Sequence, residues 1–212
     1  MVAQIEVFTQ NSIRITTGER KIYADPFKMS GSPKDADFIL ITHDHYDHFS
    51  PEDIQKVAGK NTILVAPEKM KKKAEEVRDF VSRIVTVEPG NSYEAEGLSF
   101  ETVPAYNSMK PFHPKHAGFV GYILEIDGKR IYIAGDTDAT KEAKAVKCDI
   151  ALVPIGGTYT MDAKAAAELV NQISPSVAIP VHFGEIVGKP EDAKTFAGLV
   201  NEPIVVEEKI RF

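Results

Sequence analysis

Residues 42–48 read Thr42-His43-Asp44-His45-Tyr46-Asp47-His48, directly after the apolar run 38–41. An apolar run of that length, ending in a polar turn, is a buried strand delivering side chains to a sheet edge. Alternation along extended chain throws His43 and His45 to one side, and the turn that follows can bring Asp47 and His48 round to a neighbouring point. That makes two pairs of ligands for two metals. Neutral imidazole and carboxylate are the donors that Zn²⁺, Fe and Mn²⁺ sites use. A polar surface turn would be the plainer reading, but it does not account for three histidines within six positions.

Outward from this motif, Val- and Ile-rich runs of strand length recur with helical patterns between them. The first half offers strands at 5–8, 12–16, 21–24, 38–42, 62–66 and 84–87, with Gly18-Glu19 as a hairpin turn. Helices are expected after Ser50-Pro51, an N-cap followed by an allowed first-turn proline, and over 68–80, which is rich in helix formers. The second half repeats the order: strands at 98–103, 120–126 and 130–134, the last two joined by Asp127-Gly128, then a helix near 141–146. Buried-type strands at 150–153 and 177–180 flank a helix at 163–173 capped by Asp162, and a helix at 194–200 and a strand at 204–207 close the chain. The stretch 104–118, with three prolines and two histidines, shows little periodicity, and a long irregular segment of this kind is expected beside a functional site.

Composition narrows the function classes. The 212 residues, 43% hydrophobic and 26% charged, suit one domain spanning 1–212 and argue against disorder or coiled coil. Thirty-one acidic against twenty-five basic side chains give a charge of −6, which works against non-specific binding to nucleic acid or anionic membrane. Lys69, Lys71, Lys72 and Lys73 alternate with Glu68, Glu75 and Glu76, as on a solvated face with local ion pairs. The single cysteine, Cys148, lies in an apolar run and cannot form an internal disulfide, which fits a cytoplasmic protein. The N-terminus shows no secretory pattern, and no apolar stretch approaches the roughly 18 residues of a membrane span.

With His-x-His-x-Asp-His at a strand end, the chain resembles the metallo-β-lactamase superfamily. Three further stretches match in order: Ile22-Tyr23-Ala24-Asp25-Pro26-Phe27, Ile131-Tyr132-Ile133-Ala134-Gly135-Asp136-Thr137-Asp138 and Ile179-Pro180-Val181-His182-Phe183-Gly184. The resemblance implies an α/β fold, a four-layer αββα sandwich with metals in a cleft at one edge. It implies that Asp25 orients a metal-binding histidine, that Asp136 bridges two metals, and that His182 is the last ligand. Val153-Pro154-Ile155-Gly156-Gly157-Thr158-Tyr159-Thr160-Met161, with the alanine-rich helix after it, is similar to the small stand-alone predicted metal-dependent hydrolases, relatives of the ascorbate-6-phosphate lactonases.

One departure stands out: where the family usually has another histidine before the Gly-Asp-Thr motif, this chain has Asn107. Either His113 or His116 of the irregular loop could fill the place, with His113 favoured. The expected ligands are thus His43, His45, Asp47, His48, His113, Asp136 and His182, holding two divalent ions, zinc first, with Mn or Fe as alternatives. The expected activity is hydrolysis of a small ester, lactone or phosphoester by a metal-activated hydroxide, with Asp47, Asp136 and Asp25 serving the chemistry. Lys110, Lys115 and Tyr159 flank the expected cleft and are candidates for substrate contact. Two other readings are a metal-binding protein without hydrolytic turnover, of sensor or di-iron redox type, and a nucleic-acid-processing hydrolase. The sequence is silent on substrate and oligomeric state.

Overall fold

In the computed structural model, which describes residues 3–18, 20–108 and 110–210, the apolar runs assemble into two mixed sheets with helices outside them. The first sheet holds β1 (Gln4–Val7), β2 (Ile13–Thr17), β3 (Arg20–Ala24), β4 (Ala36–Leu40), β5 (Ala58–Pro67) and β6 (Arg83–Val87), in that spatial order. It begins as an antiparallel meander and continues parallel from β3 onward. The second holds β7 (Ser92–Ala95), β8 (Leu98–Pro104), β9 (Val120–Ile126), β10 (Lys129–Ile133), β11 (Ile150–Pro154), β12 (Val177–Val181) and β13 (Val205–Val206), and runs from antiparallel to parallel at β10. The repeated order in the sequence is therefore one sheet topology used twice.

Alternation decides which side chain faces where. Ile22, Phe38, Leu40, Ile63 and Val65 join Phe100, Tyr122, Leu124, Ile131 and Ile133 in the core between the sheets. Their neighbours Tyr23, Ile39, Leu64 and Ala66 face outward, under Ile54 and Val57 of α1 (Pro51–Val57) and Ala74 of α2 (Lys71–Ala74). On the second sheet α4 (Ala163–Ile173) buries Ala166, Leu169, Val170 and Ile173, and packs against α3 (Lys141–Lys144) and α5 (Asp192–Leu199). This is the four-layer αββα arrangement the motifs imply.

Local chemistry sets the ends. Ser50 caps α1 by accepting from Asp53 N, and Asp162 caps α4 by accepting from Ala165 N at 2.8 Å. Asp127 and Gly128 have φ of 51° and 72°, as a tight hairpin turn requires; Glu19, of the other expected hairpin, lies outside the described residues. The expected helix over 68–80 is not continuous: a 3₁₀ turn, the single α-turn α2 and a second 3₁₀ stretch replace it. No side chain caps any of these pieces, yet Met70, Ala74 and Val77 still reach the core at helical spacing. The lysine face is also less free than expected: Lys73 Nζ donates to Asp44 O, behind the histidine motif. Edge strand β7 escaped the sequence reading because only Tyr93 and Ala95 of its four residues are apolar.

Candidate metal centre

The parallel strands end at one edge of the sandwich, and every expected metal ligand gathers there together with Asp25. β3 leads into Asp25, β4 into 42–48, β10 into Asp136 and β12 into His182. The two sheets are stitched together at this edge, where Val120 N donates to Thr42 O at 3.1 Å and Tyr122 Oη to Ile41 O at 2.7 Å.

Two clusters of donor atoms result. His43, His45 and His113 form one; Asp47, His48 and His182 form the other. Asp136 lies between them. Its Oδ2 is 3.3 Å from His113 Nε2 and 3.9 Å from His43 Nε2, while its Oδ1 is 3.4 Å from His48 Nε2 and 3.3 Å from His182 Nε2. Ring nitrogens face one another at 3.1 Å in both halves, His43 Nε2 with His45 Nδ1 and His48 Nε2 with His182 Nε2. Lone pairs so close need a proton or a cation between them. His113 Nε2 and Asp136 Oδ1, both buried, have no hydrogen-bond partner. Orphaned buried acceptors aimed into a shared space, in a nitrogen-rich set with two carboxylates, fit Zn²⁺, Fe or Mn²⁺.

The partners behind the rings assign the tautomers. Asp25, fully buried with φ of 43°, accepts from Thr42 N at 2.8 Å, Thr42 Oγ1 at 2.6 Å, Asn11 Nδ2 at 2.8 Å and His48 Nδ1 at 2.7 Å. Having given its proton to Asp25, the Thr42 hydroxyl accepts from His43 Nδ1 at 2.9 Å, which frees His43 Nε2. Asn107 is not in either cluster. Its Nδ2 donates to Tyr159 O at 2.9 Å and Asp138 Oδ1 at 3.2 Å, so its Oδ1 is left to accept from His113 Nδ1 at 2.8 Å. Asn107 thus orients the His113 ring and leaves its Nε2 facing the cluster. His182 N donates to Gln10 O at 2.9 Å, and its Nδ1 lies 3.5 Å from the Gln10 amide. Turning that amide so that its oxygen faces the ring satisfies Gln10 Oε1, otherwise buried without a partner, and frees His182 Nε2.

The electrostatics are those of a pocket arranged for cations. Burial, with the nearby His48, holds His43 well below the ordinary histidine range, and burial with His113 lowers His45. Burial opposes charge on His48 too, but the carboxylates of Asp136, Asp25 and Asp47 outweigh it and raise it to about 9. Against the pull of burial, the histidines around Asp136 keep its carboxyl well below the usual range, and His182 with His48 lowers that of Asp47.

Some expectations are corrected. His116 is exposed on a 3₁₀ turn, Lys115–Ala117, and belongs to neither cluster. Lys110 is committed to Asp138 at 3.2 Å and to the carbonyls of Gly157 and Thr160, and Lys115 to Glu142 at 2.6 Å. Tyr159 does line the cavity over the centre, about 270 Å³ in volume, along with Tyr46, Phe112 and Ile186. Gln10 and Asn11 are supporting residues without a motif of their own; their one signal is an uninterrupted polar run, 9–12, between two apolar strands.

Gly156 holds the loop beside His182 at a distance no other residue allows, since an added Cβ would stand 2.4 Å from His182 O and 2.5 Å from Val187 Cγ2. Gly156→Ala is expected to cost about 1–3 kcal/mol by overpacking, several degrees in Tm, and to weaken metal retention. Thermal melts with parallel metal analysis check this; an unchanged melt contradicts it.

The model of the Beta-lactamase superfamily domain matches residues 4–182. The UPF0173 metal-dependent hydrolase of Thermoplasma acidophilum is 34% identical over 208 residues, covering 90% of this chain and 89% of its own. A crystal structure from Parabacteroides distasonis superposes with a TM-score of 0.82 at 30% identity, covering 99% of this chain and 94% of that one. The di-iron β-hydroxylase CmlA of Streptomyces venezuelae shares the fold at a TM-score of 0.74 and 13% identity, with 99% of this chain matched to 52% of that one.

Proposed function

The chain belongs to the β-lactamase superfamily and, within it, to the UPF0173 metal-dependent hydrolases, and from that membership we propose that it hydrolyses a small ester, lactone or phosphoester with two divalent ions, zinc first. His43, His45 and His113 would hold one ion, Asp47, His48 and His182 the other, and Asp136 both. The observation that carries this reading is the position of Asp136, one carboxylate oxygen turned to each cluster, with Oδ1 and His113 Nε2 buried and unpaired.

Bound there, the ions would supply an activated water as nucleophile and Lewis-acid polarisation of the substrate oxygen. The protein's own residues do the rest. Asp25, Thr42 and Asn107 fix the rings so that Nε2 of His48, His43 and His113 point into the site. The buried walls exclude bulk water, which strengthens every charge interaction inside. No serine or cysteine nucleophile is needed: Cys148 packs against the core, and burial pushes its thiol up to about 12. That inert thiol agrees with a cytoplasmic setting. Among the described residues no helix is long and apolar enough to cross a membrane.

His113 beside His43 and His45 supports a complete first site over one depleted at Asn107, and so supports turnover over metal binding alone. The test is chelation. Protein stripped of metal is expected to lose turnover on a panel of esters, lactones and phosphoesters, and added zinc, manganese or iron to restore it. Turnover indifferent to chelation would refute the reading.

A further inference from the structure

Five large hydrophobic side chains are exposed among the described residues, and three of them, Tyr46, Phe112 and Ile186, line the single cavity over the candidate metal centre. Tyr46 is 65% exposed and Phe112 45%. They come from three separate segments, after β4, before β9 and after β12, so no local pattern explains their meeting. Tyr159 adds a fourth apolar wall, its ring 4.7 Å from that of Phe112 and at right angles to it. Contiguous exposed apolar surface at a concave site marks ligand contact rather than chance.

The charges complete the picture. No lysine or arginine among the described residues lines this cavity. The cations nearby are engaged: Lys28 with Glu185 at 2.5 Å, Lys110 with Asp138 and two carbonyls, Lys115 with Glu142. A substrate carrying a phosphate or carboxylate away from the reacting bond would therefore find no partner for it and would be desolvated against aromatic rings. The volume, about 270 Å³, lies below the roughly 300–1,000 Å³ of pockets for drug-sized ligands.

Resting on the hydrolase reading above, we infer that the site selects a small uncharged carboxylic ester or lactone carrying an apolar ring or branched chain, with Phe112 and Ile186 as specificity-determining residues. The apolar group seats among Tyr46, Phe112, Tyr159 and Ile186 while the carbonyl faces Asp136. The reaction stays a hydrolysis: the oxygen of water bonds to the acyl carbon, the acyl C–O bond breaks, and a proton of the water leaves with the alcohol oxygen.

Binding of hydroxamates to the zinc-loaded protein tests this without relying on turnover. Phenylacetohydroxamate is expected to bind at least about tenfold more tightly than acetohydroxamate, the range one apolar group commands in a fitted pocket. Phosphonoacetohydroxamate is expected to bind no better than acetohydroxamate. Phe112→Ala and Ile186→Ala should each cut the phenyl preference at least about fivefold, the lower end of a lost apolar contact. Leu199→Ala, which removes an exposed hydrophobe on α5, should leave that preference unchanged. Equal affinities for the three ligands, a phosphono preference, or a phenyl preference that survives both mouth variants overturns the inference alone. Zinc retained with no hydroxamate bound does so too, as does gel filtration showing a dimer that Phe112→Ala converts to monomer. Failure to retain zinc at all overturns the hydrolase reading on which the inference stands.

Discussion

Asp136→Ala is expected to reduce bound metal from about two equivalents to less than one and to lower kcat/KM by more than about 100-fold, the loss reached when outer partners alone are removed. The reason is its position. Among the described residues Asp136 is the one carboxylate within 3.4 Å of a ring nitrogen in both clusters, through His113 on one side and His48 and His182 on the other. Its removal leaves two sets of histidines with no shared anion, and the cations they would hold repel each other uncompensated. Elemental analysis and assay of the purified variant check this, with circular dichroism to establish folding. Metal content equal to wild type would contradict the bridging role.

Asp25→Asn is expected to destabilise the fold by about 3–5 kcal/mol, as breaking a buried charged network does, and to weaken metal binding by about 10–100-fold. Asparagine preserves the shape and can still accept from Thr42 N. Its amide nitrogen, however, would confront three donors that now converge on Oδ2: the Thr42 hydroxyl, Asn11 Nδ2 and His48 Nδ1. Each would be buried without a partner or forced to turn. The His48 ring would lose its tautomer, and Thr42, which aligns His43, would lose its acceptor. Against a total stability of about 5–15 kcal/mol the variant should still fold when metal is supplied. Denaturant titration with and without zinc gives the number. A change below about 1 kcal/mol would mean that Asp25 is not the anchor its bonds describe.

These two residues were visible from the sequence because each stands at the end of a strand inside a recognisable run. The same holds for His43, His45, Asp47 and His48, whose spacing along one extended segment is itself the signal; the two-sheet fold was legible only through the family resemblance those motifs carry, with which the repeated order of elements agrees. His113 was legible only as one of two candidates. Its place is set by the path of residues 105–119, pinned by Asn107 N to His113 O at 2.8 Å and Ala105 N to Phe119 O at 3.0 Å, and no periodicity encodes that path. His116, three residues further on in the same irregular stretch, is exposed. The mouth was illegible for a different reason: Phe112 and Ile186 read as ordinary hydrophobes until the fold shows that nothing covers them. Asn107 looked like a loss because a sequence displays the missing ligand and not the hydrogen bond that replaces it.

The central claim is a two-metal site completed by His113. Elemental analysis of protein purified without added metal or chelator, wild type beside His113→Ala, tests it most directly. About two equivalents are expected in the wild type and about one in the variant, since Asp47, His48, Asp136 and His182 would still hold the other ion. One equivalent in both, or two in both, would contradict it.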